Sequence, residues 1–427
     1  MKVVIINKSD RTGGAAIVSY RLLKSLRQIG VDARMLVIEK LSDNYYVDSV
    51  ASPYKSFKKF IKERLKIYFA NGFNREDLFK IDIASDGLPI HKHEWVKEAD
   101  VVCLNWINQG MLSLEQIKKI AKMGKPIVWT MHDMWNLTGI CHHAGSCRSF
   151  EEQCGNCRYL GSRKSDNDIS HKTWIRKNKL YNDIDITFVA VSNWLADKCK
   201  ASSLIKNQRL MVIPNAFPIS KAPEKLKKPG KKGVHNIVMG ASRLDDHIKG
   251  LPILVEATKI IAKQHPELLN RLKLITYGDI RNPEKFPGIA LKHEHLGVVG
   301  HEKDVNDIYK ESSIVVSTSH YETLPGTLIE GQAYGCIPVS FNQGGQSDII
   351  EHLETGYLAE YSKDLSVAAQ NIADGIIWAM GKADEIDTSL SENDNLLVRL
   401  HKNVYSKFSG VEVARAYERL FNSLVEE

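Results

Sequence analysis

Residues 314–345 read IVVSTSHYETLPGTLIEGQAYGCIPVSFNQGG. The run 314–317 is short, apolar and β-branched, which suits a buried strand. A polar loop follows, punctuated by Pro325 and Gly326. Thr327 begins a helical stretch over 327–334, then Gly335 and Pro338 lead into a second apolar run, 337–341. Strand, helix and strand in so short a span predict parallel strands whose sheet is covered on both faces.

The same alternation extends in both directions. On the C-terminal side, strands are expected at 236–241 and 272–277, and helices at 251–265, 305–311 and 366–380, with a helical end over 393–427. On the N-terminal side, strands are expected at 3–7, 33–38, 101–104, 126–131, 186–191 and 210–213. Residues 15–28 carry helical spacing through Ile17, Tyr20, Leu22, Leu23 and Leu26. The stretch 221–233, KAPEKLKKPGKKG, is polar, basic and broken by Pro and Gly, and reads as a linker. The expected fold class is therefore α/β, with two doubly wound, Rossmann-like domains and a cleft between them. Their expected bounds are 1–215 and 216–400, with 401–427 as a helix packing back on the first domain.

Composition narrows the class. A chain of 427 residues is long enough for two or three cores. With 43% hydrophobic and 26% charged residues it is globular rather than disordered. The opening MKVVIIN is too short for a signal peptide, and no apolar run approaches the roughly 18 residues that span a bilayer. A cytoplasmic location is expected. The net charge of +7 favours anionic partners without choosing among them.

Chemistry-bearing residues gather at expected strand ends, where doubly wound sheets hold their ligands. Arg243 and Lys249 follow strand 236–241 in GASRLDDHIKG. A loop there can aim a planar guanidinium and a compact ammonium at one anion. Two surface cations are the plainer reading. Glu322 follows strand 314–317, and Glu330 falls near the first turn of the next helix. Carboxylates accept hydrogen bonds from sugar and ribose hydroxyls, although an early Glu can also merely complement the helix dipole. Backbone N–H groups around Gly326, Thr327 and Leu328 would form an anion site. Gly344 and Gly345 let backbone approach a ligand closely.

As a set and in this order, Arg243, Lys249, Glu322, Glu330, Gly344 and Gly345 resemble the donor half of family-4 glycosyltransferases, which are retaining and have the GT-B fold. Gly13 and Gly14 match that family's N-terminal glycine-rich loop, and His132-Asp133-Met134-Trp135 a further motif. The resemblance covers most of the chain and is to members that build bacterial exopolysaccharide or lipopolysaccharide. It implies transfer of a hexose from a nucleotide diphosphate sugar to a glycan or lipid-linked glycan, with no catalytic metal. Arg243 and Lys249 would bind the diphosphate, Glu330 the ribose and Glu322 the sugar near its anomeric carbon. His132 would sit over that sugar, and Gly13, Gly14, Leu324, Gly326 and Thr327 would complete the donor site. Leu324 stands where Gly is common, and Asp348 near where Glu is usual; both bear on which sugar is carried.

Four of the seven cysteines, Cys141, Cys147, Cys154 and Cys157, crowd one segment, with His142 and His143 as spare nitrogen donors. Cys154-Gly155-Asn156-Cys157 has the spacing of a zinc knuckle. A structural four-thiolate zinc site, reduced thiols and disulfides are the competing readings, disulfides being disfavoured in a reducing compartment. Residues 54–70, YKSFKKFIKERLKIYFA, place Phe57, Phe60, Ile61, Leu65, Tyr68 and Phe69 at helical spacing among lysines. Such a helix lies in an anionic membrane interface on the inner face, or packs its apolar stripe into a domain and leaves its lysines solvated.

Rival functions are a nucleotide-sugar epimerase of the same fold and a basic, zinc-bearing nucleic-acid binder. The scattered basic residues speak against the latter, and no nucleic-acid partner is expected. Asp166-Asn167-Asp168 and Asp183-Ile184-Asp185 carry the letters of a metal-binding Asp-x-Asp, but neither ends a strand, and a Walker A loop is absent.

Overall fold

The structure, a computed structural model, describes residues 1–222, 233–282, 288–386 and 395–426. The expected linker over 221–233 lies almost wholly outside them. The chain divides into two compact units, Met1–Ala216 together with the helix Gly410–Glu426, and Phe217–Ser409.

In the first unit the described strands are β1 (Lys2–Ile6), β2 (Asp32–Val37), β3 (Val47–Ser49), β4 (Val101–Leu104), β5 (Ile127–Met131), β6 (Thr187–Ala190) and β7 (Arg209–Val212). All pair in parallel, in the order β3-β2-β1-β4-β5-β6-β7. β4, β5 and β6 are buried at every position, as a sheet covered on both faces requires. The helices are α1 (Gly14–Gln28), α2 (Pro53–Ala70), α3 (Glu94–Glu98), α4 (Leu114–Ala121), α5 (Ile169–Asp183) and α6 (Asn193–Ala201). Gly13 precedes α1 at φ +90°, a conformation that favours glycine. α1 buries Ala16, Leu22, Leu23 and Leu26, while Ile17, expected in that stripe, is exposed.

In the second unit β8 (His235–Arg243), β9 (Leu272–Asp279), β10 (Lys292–His295), β11 (Ile314–Ser317), β12 (Ile337–Phe341) and β13 (Tyr357–Ala359) are likewise parallel, in the order β10-β9-β8-β11-β12-β13. The helices are α7 (Leu251–Gln264), α8 (Glu302–Lys310), α9 (Gly326–Ala333), α10 (Leu365–Asp384) and α11 (Leu396–Phe408). Ile237, Leu274, Val316 and Val339 meet α7 and α10 through Leu254, Ile261, Ile372 and Ile376 in one core. α10 is tightly seated, because a side chain at Gly375 would strike Val339 and Tyr357.

Each sheet runs outward in both directions from its first strand, so the strand order reverses between β1 and β4 and again between β8 and β11. At those two positions the loops leave in opposite directions and open a crevice at the strand ends. The end of the chain differs from the single closing helix expected from 401. Ser409 is extended, buried and bridged to Phe217, which separates α11 from the last helix. α11 packs on α9, whereas the last helix lays Val413, Ala414, Tyr417 and Phe421 into the core of the first unit.

Candidate functional site

The switch point of the second sheet brings two of the expected residues into contact. Lys249 Nζ lies 2.6 Å from Glu322 Oε1, and Ser319 Oγ donates to the same oxygen at 2.9 Å. Two backbone contacts fix this register. The His320 N–H donates to the Ile248 carbonyl, and the Thr318 hydroxyl to the Lys249 carbonyl. Gly250 permits the approach, since a Cβ there would lie 2.1 Å from the Thr318 carbonyl oxygen and its φ is +65°. Burial opposes charge on Lys249, but the Glu322 carboxylate outweighs it and holds the ammonium above its ordinary pKa.

Arg243 ends β8 rather than following it, one strand bulge beyond Gly240. Its Nε donates to Asp245 Oδ1 at 3.0 Å, and its terminal nitrogens make no hydrogen bond among the described residues. Asp245 is buried and also accepts the N–H groups of Arg281 and Asn282. Although burial opposes it, the Arg243 bond and these backbone donors hold Asp245 below the usual carboxylate range. Asp245 and Ser319 are positioning residues that pattern reading missed. The only signal for Asp245 was its place two residues after Arg243.

Gly344 and Gly345 bring backbone close to the Glu322 loop. A Cβ on Gly344 would fall 2.1 Å from the Glu322 carbonyl oxygen, and the Gly345 N–H donates to that oxygen. The pair therefore clamps the Glu322 loop. Leu324 is buried, and Gly326, where α9 begins, faces the Phe217 ring, which a side chain would approach to 3.1 Å. Thr327 is half-buried in the first turn of α9. Glu330 is half-buried and acts on the hydrogen-bonded Tyr277–Tyr309 pair, whose phenols burial and this carboxylate hold above their ordinary range. Tyr277 in turn occupies the space beside Gly240 of β8, where no larger residue fits.

In the first unit, polar residues crowd the corresponding strand ends. His132 Nε2 and Asn105 Oδ1 are 2.8 Å apart. The amide oxygen only accepts, so Nε2 carries the proton and Nδ1 the lone pair. Burial pushes His132 down to about 4, which keeps it neutral near pH 7. Asp133 accepts from the Trp106 indole, the Trp135 N–H and His142 Nδ1. Burial opposes charge on His142 and Asp133 alike, yet their contact holds the imidazole above and the carboxyl far below its ordinary range. Asn7 Oδ1 accepts from the Trp106 N–H, tying the ends of β1 and β4 together. Gly13 and Gly14 open α1 in free space.

The cysteine segment folds as a small core in which Cys141 and Cys157 pack with Ile81, Ile140 and Leu160. All four are free thiols, and burial pushes Cys141 and Cys157 up to about 12 and Cys154 to about 11. Cys154 Sγ accepts the Gly139 N–H, Cys147 bonds Ser149, and His142 is committed to Asp133. Among the described residues no group of three or more His, Cys, Asp or Glu side chains is arranged to hold a metal ion.

Comparison with known proteins agrees with this architecture. Residues 221–394 match the family model "Glycosyl transferases group 1". N-acetyl-alpha-D-glucosaminyl L-malate synthase of Bacillus anthracis is 22% identical over 173 residues, 40% of this chain and 39% of that protein. The amylovoran biosynthesis glycosyltransferase AmsK of Erwinia amylovora is 25% identical over 211 residues, 46% of this chain and 49% of that protein. The matches thus span less than half of either relative. The Anabaena protein HepE, solved with UDP and glucose, superimposes with a TM-score of 0.59 at 17% identity, covering 99% of this chain and 100% of that one. The two Rossmann-like units are those of the GT-B fold.

Proposed function

We propose that this protein is a glycosyltransferase that moves a hexose from a nucleotide diphosphate sugar to a hydroxyl of a glycan or lipid-linked glycan. The observation that carries the reading is the Lys249–Glu322 pair at the switch point of the second sheet. It supplies a cation for a departing diphosphate beside a carboxylate for a sugar. The match of residues 221–394 to group 1 glycosyl transferases supports it, as does the name of the Erwinia relative, an amylovoran biosynthesis glycosyltransferase.

On this reading Lys249 and the terminal nitrogens of Arg243, which Asp245 orients, neutralise the diphosphate as the glycosidic C–O bond breaks. Glu322 steadies the positive charge that develops on the anomeric carbon. The acceptor oxygen bonds that carbon, and its proton passes to an oxygen of the departing diphosphate. Configuration is retained, by the resemblance to family-4 enzymes. Glu330 holds the ribose, and Leu324, Gly326 and Thr327 shape the donor site of the second unit. The reaction runs in the cytoplasm, in polysaccharide assembly.

A panel of nucleotide diphosphate sugars, each with and without glycan acceptors, tests this. Release of nucleoside diphosphate that depends on the acceptor is expected, with one new glycosidic bond per diphosphate. Inversion of a sugar carbon without acceptor would establish the epimerase instead.

A further inference from the structure

We propose that α2 docks this protein on an anionic lipid surface. α2 is inside out. Its inner seam holds Ser56, Glu63, Arg64 and Ile67. The Arg64 guanidinium donates to the carbonyls of Leu78 and Ile81 and, at 2.6 Å, to Asp82, while Glu63 accepts the Ser85 N–H. The helix is pressed against Gly110, where a Cβ would lie 2.6 Å from the Phe60 nitrogen. Polar groups therefore anchor the helix, and Phe57, Leu65 and Phe69 of its apolar stripe are left outward while Phe60, Ile61 and Tyr68 are half-buried. Of the two arrangements expected for this helix, that favours the one that turns its apolar residues outward.

Tyr54, Phe57, Leu65 and Phe69 are 66%, 60%, 49% and 54% exposed. Phe73 extends the patch by packing edge-on against Phe69, and is itself exposed. Scattered exposed apolar residues are ordinary, but four large ones along one helix, three of them aromatic, mark an interaction face. The charge beside it selects the occupant. Lys55, Lys58 and Lys59 flank the stripe and have no carboxylate partner among the described residues, whereas Lys62 and Lys66 are held by Asp86. Lys58 sits over the Tyr54 ring at 4.3 Å. The only acid of the helix, Glu63, is buried. Aromatic rings beside unpaired lysines suit the boundary between acyl chains and anionic headgroups.

The inference stands apart from the catalytic reading, because its test needs no turnover. The full chain is sedimented with vesicles of phosphatidylglycerol and phosphatidylcholine in equal parts, and with phosphatidylcholine alone. Binding to the anionic vesicles that weakens with salt is expected. Juxtamembrane lysines contribute about fivefold each, so reversing Lys55, Lys58 and Lys59 to Glu should weaken binding by a hundredfold or more. Phe57→Ser, Leu65→Ser and Phe69→Ser together should also abolish it, with an unchanged melting point because these side chains are exposed. Reversing Lys40, Lys172 and Lys206, which gives the same net charge, should leave binding intact. Absence of vesicle binding, equal loss from both lysine sets, or a dimer that the serine variant splits would overturn the proposal, the last in favour of a second copy of the chain.

Discussion

Replacing Lys249 by methionine separates what its ammonium does for the fold from what it does for the reaction. In the structure Nζ is 2.6 Å from Glu322 Oε1, with the two side chains 31% and 21% exposed. A sheltered charged hydrogen bond is worth about 1.5–3 kcal/mol, and a solvent-exposed ion pair about 0–1 kcal/mol. At this exposure, screening brings the pair to about 1 kcal/mol. Glu322 keeps the Ser319 hydroxyl and access to water, so no orphaned charge adds to the cost. The melting point should fall by only about 2–4 °C. Turnover should fall much further, by about 10²–10³-fold, the usual loss when a group that stabilises transition-state charge is removed. Nucleoside diphosphate release at saturating donor, measured beside a thermal melt, reads both quantities. A rate within about fivefold of the parent, or a melting point lower by more than about 10 °C, would refute the reasoning.

Asp245→Asn keeps the shape around Arg243 but removes the charge that orients it; donor KM should rise about tenfold and Lys249 function should persist, as initial-rate kinetics would show. Glu330→Ala should weaken nucleoside diphosphate binding by about tenfold in calorimetry while leaving the fold intact, and wild-type affinity would remove its assigned role. Burial, with Asp82 nearby, pushes Glu63 up to about 9 from an ordinary 4.5. The folded state therefore holds a proton that the unfolded chain loses above about 4.5. That stabilisation is complete at low pH and is lost as pH rises through 9, by up to about 1 kcal/mol per pH unit. Glu63→Gln should remove this slope, raising the melting point relative to the parent at pH 8 and not at pH 4.5.

The alternation of apolar runs and amphipathic helices made the parallel sheets legible, because buried strands such as β4, β11 and β12 are apolar apart from Ser317 and Ser340. β10, Lys-His-Glu-His, was invisible because an edge strand that is mostly exposed needs no apolar residues. The break at Ser409 was signalled only by the Ser409-Gly410 dipeptide. Lys249 and Glu322 were legible as charged residues after strands, but their direct pairing was not. It depends on Gly250 and Gly344 admitting backbones within reach, which only coordinates reveal. Asn7, Asn105 and Trp106 escaped notice because single polar or aromatic residues at strand ends carry no spacing signal. The α2 stripe was legible as helical, while its outward turn was not, since periodicity gives a face without saying which way it turns.

The most direct measurement is calorimetric titration of the full chain with a panel of nucleoside diphosphates. One of them should bind with unit stoichiometry. Arg243→Met and Lys249→Met should each weaken it at least tenfold, whereas Lys118→Met, whose ammonium pairs with Asp183 in the first unit, should not. If no nucleoside diphosphate binds, or if binding survives both donor-loop substitutions unchanged, the cations at the end of β8 do not form a diphosphate site.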